Sequence, residues 1–433
     1  MSGNFRHAQY DSAGKVIDDP QSRLPTVRSV VRNGQPLLLL ADNTYFQRVG
    51  LSVRALERFD TLSNWTVANN GALGSITQVN NGRGPFGSRG LRFTASVGSG
   101  SNSSATKNLR FNQNTLDGFW LVSDVHFQQT ASEVGITMFA STAADLASGT
   151  GRFNYPNVIP ANAVSLQPYW LPKSAWTVLD GSPAWTADML SIRVRLDSST
   201  TEVRDWSLLG AFAGGARPTV IITLDDGNDS SFTIGHAEAR RRGIPLTHYV
   251  IPQLFGASGY ITLSQAQQMR EAGDYLGLHG AQRWDQDISR LRADVLACQA
   301  AGIDIEHGSW PEGQTGRGYS WVQNFEALRG FGVKTCRLAG DSRPTLRSIG
   351  DPYALNSYPL SNSITLSNAI AAVTTAEQSG GTVIFYGHKF GAVADSLTWV
   401  TADWQAFLDH VYQRRLVGAV EVVTIKDWYE RAE

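Results

Sequence analysis

From residue 218 onward, short apolar runs alternate with longer amphipathic ones, and this alternation limits the fold more than any other feature. The runs "PTVIITL", "PLTHYVIP", "YLGLHG", "IDIEHGS", "VKTCRLA", "TVIFYGH" and "AVEVVTI" read as strands. Between them, "SSFTIGHAEARRRG", "LSQAQQMREAG", "DISRLRADVLACQAAG", "SWVQNFEALRGFG", "SNAIAAVTTAEQSGG" and "ADWQAFLDHVYQRRLVG" read as helices. In the second of these, Ser264 and Gln267 have capping-box spacing and Gly273 supplies a stop. Repeated strand–helix units imply a parallel-stranded barrel or a doubly wound sheet. Functional side chains of a barrel gather at the C-terminal ends of its strands. Asp225, Asp226, His279, His307 and His388 are all expected at such ends.

Upstream the texture differs. Between residues 56 and 212, runs such as "GLRFTASV", "FWLVSDVHF" and "LSIRVRL" alternate with period two between Gly, Asn and Ser clusters. That pattern predicts antiparallel strands in a β-sandwich. Trp65, Trp120, Trp170, Trp176 and Trp185 fall here, either as buried sandwich aromatics or as flat platforms for sugar rings. "AFAGGARP", 211–218, reads as a flexible joint. Three parts are expected: 1–55, an N-terminal segment with one apolar burst, "PLLLLAD", suited to attachment or oligomerisation; 56–212, the sandwich; and 213–433, the α/β barrel.

Composition removes several classes of function. A net charge of −1 over 433 residues lacks the basic excess of a nucleic-acid-binding surface. Cys298 and Cys336 alone build neither a zinc knuckle nor a disulfide framework. The polar start, "MSGNFRHAQYDSAGKVIDD", has no signal-peptide layout, and no apolar run reaches the roughly 20 residues of a membrane span.

The "LDDG" of residues 224–227 places two like charges side by side at a strand end. Acidic residues at a helix N-terminus are common and mildly stabilising, which is the ordinary explanation. A chemical one is that a divalent cation on one carboxylate offsets the repulsion and leaves the other to act as a base toward water.

The wider pattern favours the chemical explanation. "TLDDG" resembles the TFDDG motif of the polysaccharide deacetylase family (the NodB-homology group, carbohydrate esterase family 4). "GDYLGLHGAQR", 273–283, is similar to its second motif, G-H-E-I-G-N-H-[ST]-x-x-H. "SWPEG", 309–313, stands where the family has R-x-P-x-G, and "TVIFYGH", 382–388, resembles the last strand with its histidine. The blocks keep the family order over residues 218–433. The resemblance implies an irregular (β/α) barrel of deacetylase type. It also implies Asp225 as catalytic base, Asp226 and His279 as metal ligands, His388 as general acid, and the Glu312 backbone N–H as oxyanion donor. The cofactor implied is a divalent metal, zinc first.

Three positions depart from the motifs. Arg283 replaces the second metal histidine, Gly280 the Ser or Thr, and Ser309 the arginine that orients the base. Asp285 and His307 are the candidates for a third ligand, Arg337 for the missing cation, and Asp341 for orienting His388. Arg283 itself is expected to turn away from the metal. His236, His248 and His410 match no motif and read as structural or surface residues.

The expected function is removal of acetyl groups from a bacterial surface polysaccharide. The alternative is a catalytically degenerate glycan-binding tail protein. A glycoside hydrolase would need two carboxylates flanking the bond, whereas these are adjacent. A short N-terminal segment, a sandwich and a deacetylase-like barrel resemble the layout of bacteriophage tail spikes. That layout implies tail-protein partners, a homotrimer, and a place on the virion tail or outside the cell after lysis, with a cytoplasmic enzyme as the alternative.

Overall fold

A computed structural model describes residues 218–315, 319–339 and 352–431, together with the strands and short connections named here from the preceding part. "PLLLLAD" and Asp341 lie outside the described residues. The chain divides into two compact units, with the change near Ala216.

In the first unit, besides a two-stranded antiparallel pair of Gln9–Tyr10 and Val16–Asp18, the described strands form two antiparallel sheets. One runs Thr177–Asp180, Arg152–Tyr155, Val134–Ser141, Met189–Ser198, Asn102–Phe111, Thr66–Asn70. The other runs Gln167–Pro172, Gly118–Val125, Glu202–Ala213, Gly87–Ala95, Ser75–Gly84, with Ser52–Glu57 also paired to Glu202–Ala213. Alternation puts Leu91, Ala105 and Ile192 inside. Phe119 of one sheet and Phe153 of the other both pack on Trp185. Trp65 and Trp176 are buried, as core aromatics. Trp120 and Trp170 are opposite one another across two strands, and their side chains lie outside the described residues.

The second unit is built on a curled parallel sheet. Its strands are β1 (Thr219–Asp226), β2 (Thr247–Val250), β3 (Tyr275–Leu278), β4 (His307–Ser309), β5 (Thr335–Arg337), β6 (Tyr358–Leu360), β7 (Thr382–Gly387) and β8 (Glu421–Val422). Their order is β5-β4-β3-β2-β1-β7-β6, with β8 beside the first residues of β1. Leu355 bridges to Arg337 on β5, three residues before β6 pairs with β7, so the segment 352–360 closes the ring. Because β1 is covered on both faces, it is buried from Thr219 through Asp225 and carries no charge before its carboxylates. Val220, Ile222 and Leu224 pack outward with Phe407 and Leu408 of the Thr401–Leu416 helix. Ile221 faces the lumen with Tyr249, Ile384, Trp428 and Tyr429. The same period of two turns Thr223 and then Asp225 inward.

Two readings from the sequence shift. The capping box of the Leu263–Glu271 helix is Thr262 with Gln265, two residues before the pair inferred from spacing. Thr262 Oγ1 is the first side-chain acceptor outside that helix, so it takes the N-cap role from Ser264. "AVEVVTI" gives only the two-residue β8 before the Ile425–Arg431 helix begins. Among the described residues, no helix is long and apolar enough to cross a membrane.

Candidate active site

The carboxylate pair sits where β1 ends. Asp226 has φ 70° and is followed by Gly227 at φ 77°. Asp226 and Glu312 are the non-glycine residues with positive φ among the described residues, and both belong to the motifs that define this site. Such backbone strain persists where surrounding structure enforces it, and it concentrates at functional sites.

Asp225 is 4% exposed and points into the lumen. Its Oδ2 pairs with Arg337 Nη2 and lies 3.5 Å from Ser309 Oγ. His388 Nε2 stands 3.9 Å from the same oxygen. Asp225 Oδ1 meets no protein donor, so this oxygen is open to accept a proton. Arg337 is 1% exposed, with both terminal nitrogens engaged and Nε without an acceptor. It donates to Ser309 Oγ at 2.9 Å and to the Leu338 carbonyl at 2.7 Å, and it lies over the rings of Tyr386 and Tyr249. Ser309 and Arg337 are direct partners across β4 and β5. The cation absent from position 309 therefore arrives from the neighbouring strand and reaches the same carboxylate.

Asp226 Oδ1 faces His279 Nε2 at 3.4 Å. Nδ1 of that ring is held by the Ser309 carbonyl at 2.9 Å, which aims Nε2 at Asp226. Two donors at tetrahedral angles, each about 2.0–2.1 Å from an ion, stand about 3.3 Å apart. The pair thus fits two corners of a divalent-cation site. Burial alone would raise the Asp226 pKa, but the hydrogen bond and charge of His279, with His388 and Asn228, bring it down to about 2. Burial likewise opposes a charge on His279, and the two aspartates reverse the effect and raise its pKa. Burial pushes His388 below its ordinary value against the pull of Asp225 and Asp226.

The remaining candidates are placed as follows. His307 is the first residue of β4, not the last, so it lies at the opposite strand end from Ser309. Its Nδ1 pairs with Thr335 Oγ1 at 2.8 Å, and its ring packs against Tyr275 and Tyr429. Asp285 takes a two-point contact from Arg283, Nε to Oδ1 at 2.9 Å and Nη2 to Oδ2 at 2.6 Å. Among the described residues, no third histidine, cysteine or carboxylate joins Asp226 and His279 in a ligand set. Arg283 pairs with Asp285 and lies 3.9 Å from the Glu312 carboxylate. Glu312, at φ 55°, follows Pro311 in a single tight turn, and its N–H precedes the Gly313 N–H to Trp310 carbonyl bond.

The Asp–His–His cluster that the described residues do contain lies elsewhere. Asp274 Oδ2 accepts from His236 Nδ1 at 2.7 Å and from His248 Nε2 at 3.0 Å, while Oδ1 takes the Leu246 N–H. These are hydrogen-bond lengths, and one oxygen serves both rings. His248 faces outward from β2 because Tyr249 faces the lumen. This triad is not legible in the sequence, since its members are 12 and 26 residues apart and match no spacing rule. Nor does the sequence single out Asn228, two residues after Asp226 and 2% exposed.

No protein-family model matches the chain, and no curated protein matches it by sequence. Among solved structures, a family 4 acetyl xylan esterase from Clostridium thermocellum, in complex with a cobalt ion, is similar at 16% identity and TM-score 0.33, over 49% of this chain and 90% of that one. A family 4 carbohydrate esterase from Streptomyces lividans, in complex with acetate, is similar at 15% identity and TM-score 0.31, over 47% and 91%. A family 11 carbohydrate-binding module from Clostridium thermocellum, with a mixed-linked tetrasaccharide, is similar at 11% identity and TM-score 0.31, over 38% and 97%. Identities this low assign no residue a role, which must come from the side chains themselves.

Proposed function

We propose that the second unit is a divalent-cation-dependent deacetylase or esterase acting on an acetylated polysaccharide. The observation that carries this reading is the division of labour between adjacent carboxylates. Asp226 faces His279 across 3.4 Å, while Asp225 is held by Arg337 with one oxygen open and His388 3.9 Å from the other.

A cation between Asp226 and His279 would polarise the acetyl carbonyl and make water more acidic. Asp225 Oδ1 accepts the proton of the attacking water. The Glu312 N–H, at the strained turn, donates to the oxygen that becomes negative. His388 delivers a proton to the departing nitrogen or oxygen. Arg337 holds Asp225 in place without touching substrate.

A second reading, a glycan-binding protein without turnover, is favoured by one observation: no third histidine or carboxylate completes the Asp226–His279 pair among the described residues. The setting we propose is a tail-spike-like protein, trimeric and acting on a bacterial surface glycan after lysis. It is motivated by the order of segment, β domain and barrel.

The test is acetate release from acetylated polysaccharide by the full chain, stripped with chelator and then supplied with Zn²⁺, Mn²⁺ or Co²⁺. Cation-dependent release is expected. Asp225→Asn should lower the rate about 10²–10⁴-fold while retaining bound cation. Asp226→Ala and His279→Ala should lose cation and activity together. Glycan binding without release under every cation would leave the binding-protein reading.

A further inference from the structure

The geometry points to Asn228 as the third protein donor of the cation site, its amide oxygen standing in for the imidazole that Arg283 replaces. This inference rests on the cation-site reading given above.

Both oxygens of Asp285 are bound by the Arg283 guanidinium. His307 is tied to Thr335 beneath Tyr275 and Tyr429, at the start of β4. Asp225 is committed to Arg337. Asp226 and His279 therefore need a donor that is neither histidine nor carboxylate.

Asn228 is in place for this. It follows Asp226 by two residues, across the left-handed turn of Asp226 and Gly227. Short polar residues at i and i+2 of such a turn direct both side chains to one point, as oxygen-donor cation loops do. The backbone of this turn is fixed on both sides. The Ser231 N–H and Oγ donate to the Asn228 carbonyl at 3.0 and 2.5 Å. The Ile261 N–H donates to the Gly227 carbonyl at 2.9 Å, and Asn228 bridges to Tyr260.

The amide is also unsatisfied. The residue is 2% exposed, and its side chain lies against the Asp226 carboxylate, yet Nδ2 meets no acceptor in hydrogen-bonding geometry. A buried amide left in this condition calls for a partner. A half-turn about χ2 exchanges Nδ2 and Oδ1 with no change of shape. Facing a bare carboxylate, the oxygen would be repelled; facing a cation on that carboxylate, it is attracted. The resulting set has two oxygens and one nitrogen. Amide and carboxylate oxygens suit Mn²⁺ and Mg²⁺, whereas imidazole suits zinc, so the set is less selective for zinc than one with two histidines.

The experiment is calorimetric titration of the chelator-stripped full chain with MnCl₂ and ZnCl₂, with melting curves of the cation-free proteins recorded alongside. Asn228→Asp keeps the shape and adds a charge, and should tighten Mn²⁺ about tenfold. Asn228→Leu keeps the bulk and removes the oxygen, and should weaken Mn²⁺ about tenfold. Asp226→Ala should bind neither ion. If Asp226→Ala abolishes binding while both Asn228 variants match the wild-type Kd, the cation site stands and Asn228 is not part of it. If the wild-type protein binds neither ion, the cation site and the role of Asn228 fall together. Should Asn228→Leu fail to fold, the response of Asn228→Asp decides alone.

Discussion

The second unit contains two groupings of aspartate and histidine, one at each end of the sheet. Asp226 and His279 stand 3.4 Å apart at the C-terminal strand ends, on a backbone strained at φ 70°. Asp274, next to the first residue of β3, stands 2.7 Å from His236 and 3.0 Å from His248, with its second oxygen on the Leu246 N–H. Residue types are the same in both. What separates them is spacing and position: Asp274 Oδ2 holds both rings at hydrogen-bond length while His248 Nδ1 stays unpartnered, whereas the strand-end pair stands wider, beside Asp225 Oδ1 and Asn228 Nδ2, which also lack a partner. Two rings hydrogen-bonded to one carboxylate oxygen hold the fold together, and a wider pair at the C-terminal strand ends is available to a ligand. Donor identity alone would choose the triad as the metal site; spacing and strand-end position choose the other.

The sharpest way to break this contrast is at Arg337, because it anchors the open cluster from within the core. Arg337→Ser leaves Asp225 buried without its cation, and loss of one partner from such a pair costs about 3–5 kcal/mol. Melting temperature should fall and acetate release should nearly vanish. Since Ser309 and Arg337 are register partners, Ser309→Arg in the Arg337→Ser background should recover much of both. Recovery of stability without turnover would mean that the cation serves only the fold.

Asp274 offers the complementary cut, with a smaller effect. Asp274→Asn should lower stability but leave cation affinity and turnover per folded molecule unchanged. Burial would raise the Asp274 pKa, but His236, His248 and the Leu246 N–H bring it from 3.8 down to about 2. The folded state therefore binds fewer protons than the unfolded one in this range. The stabilisation, about 2 kcal/mol, is complete above the unfolded value near pH 4 and is lost as pH falls toward 2. The melting gap between wild type and Asp274→Asn should thus narrow between pH 5 and pH 2.5. A gap independent of pH would remove the ionised carboxylate from the explanation.

The comparison also shows which parts of the molecule are legible in sequence. Strand–helix alternation predicts the parallel sheet because the period-two pattern of Val220, Ile222 and Leu224 is local. The same period tells which of two adjacent aspartates faces the lumen. Ring closure is less visible, since β6 and the Leu355 bridge occupy a few residues of irregular chain. "IDIEHGS" suggests a strand ending near its histidine, whereas pairing with Thr335 makes His307 the first residue of β4. Asp274 with its two histidines, and Arg337 with Asp225, join positions 26 to 112 residues apart, and no spacing rule reports them.

The smallest expected effect concerns Gly280, where the resemblance would place Ser or Thr beside the first metal histidine. A Cβ at this position would stand 2.4 Å from Asp294 Oδ2 and 2.5 Å from Trp284 Nε1. Those two atoms are hydrogen-bonded to each other at 2.8 Å, and Trp284 is completely buried. Asp294 is further fixed by Gln253 at 2.8 Å. The space that a serine would need is already filled by an indole–carboxylate pair that has no flexible end to move aside. Glycine at 280 and tryptophan at 284 are thus one structural choice, and the departure from the motif is steric in origin. Gly280→Ala should cost about 1–3 kcal/mol from overpacking, read as a lower melting temperature. Because Gly280 directly follows His279, cation affinity should weaken with it. Trp284→Phe removes the N–H and shortens the ring, so it should make the alanine better tolerated in the double variant than in the single one. Equal losses in both backgrounds would mean that Trp284 does not set the constraint.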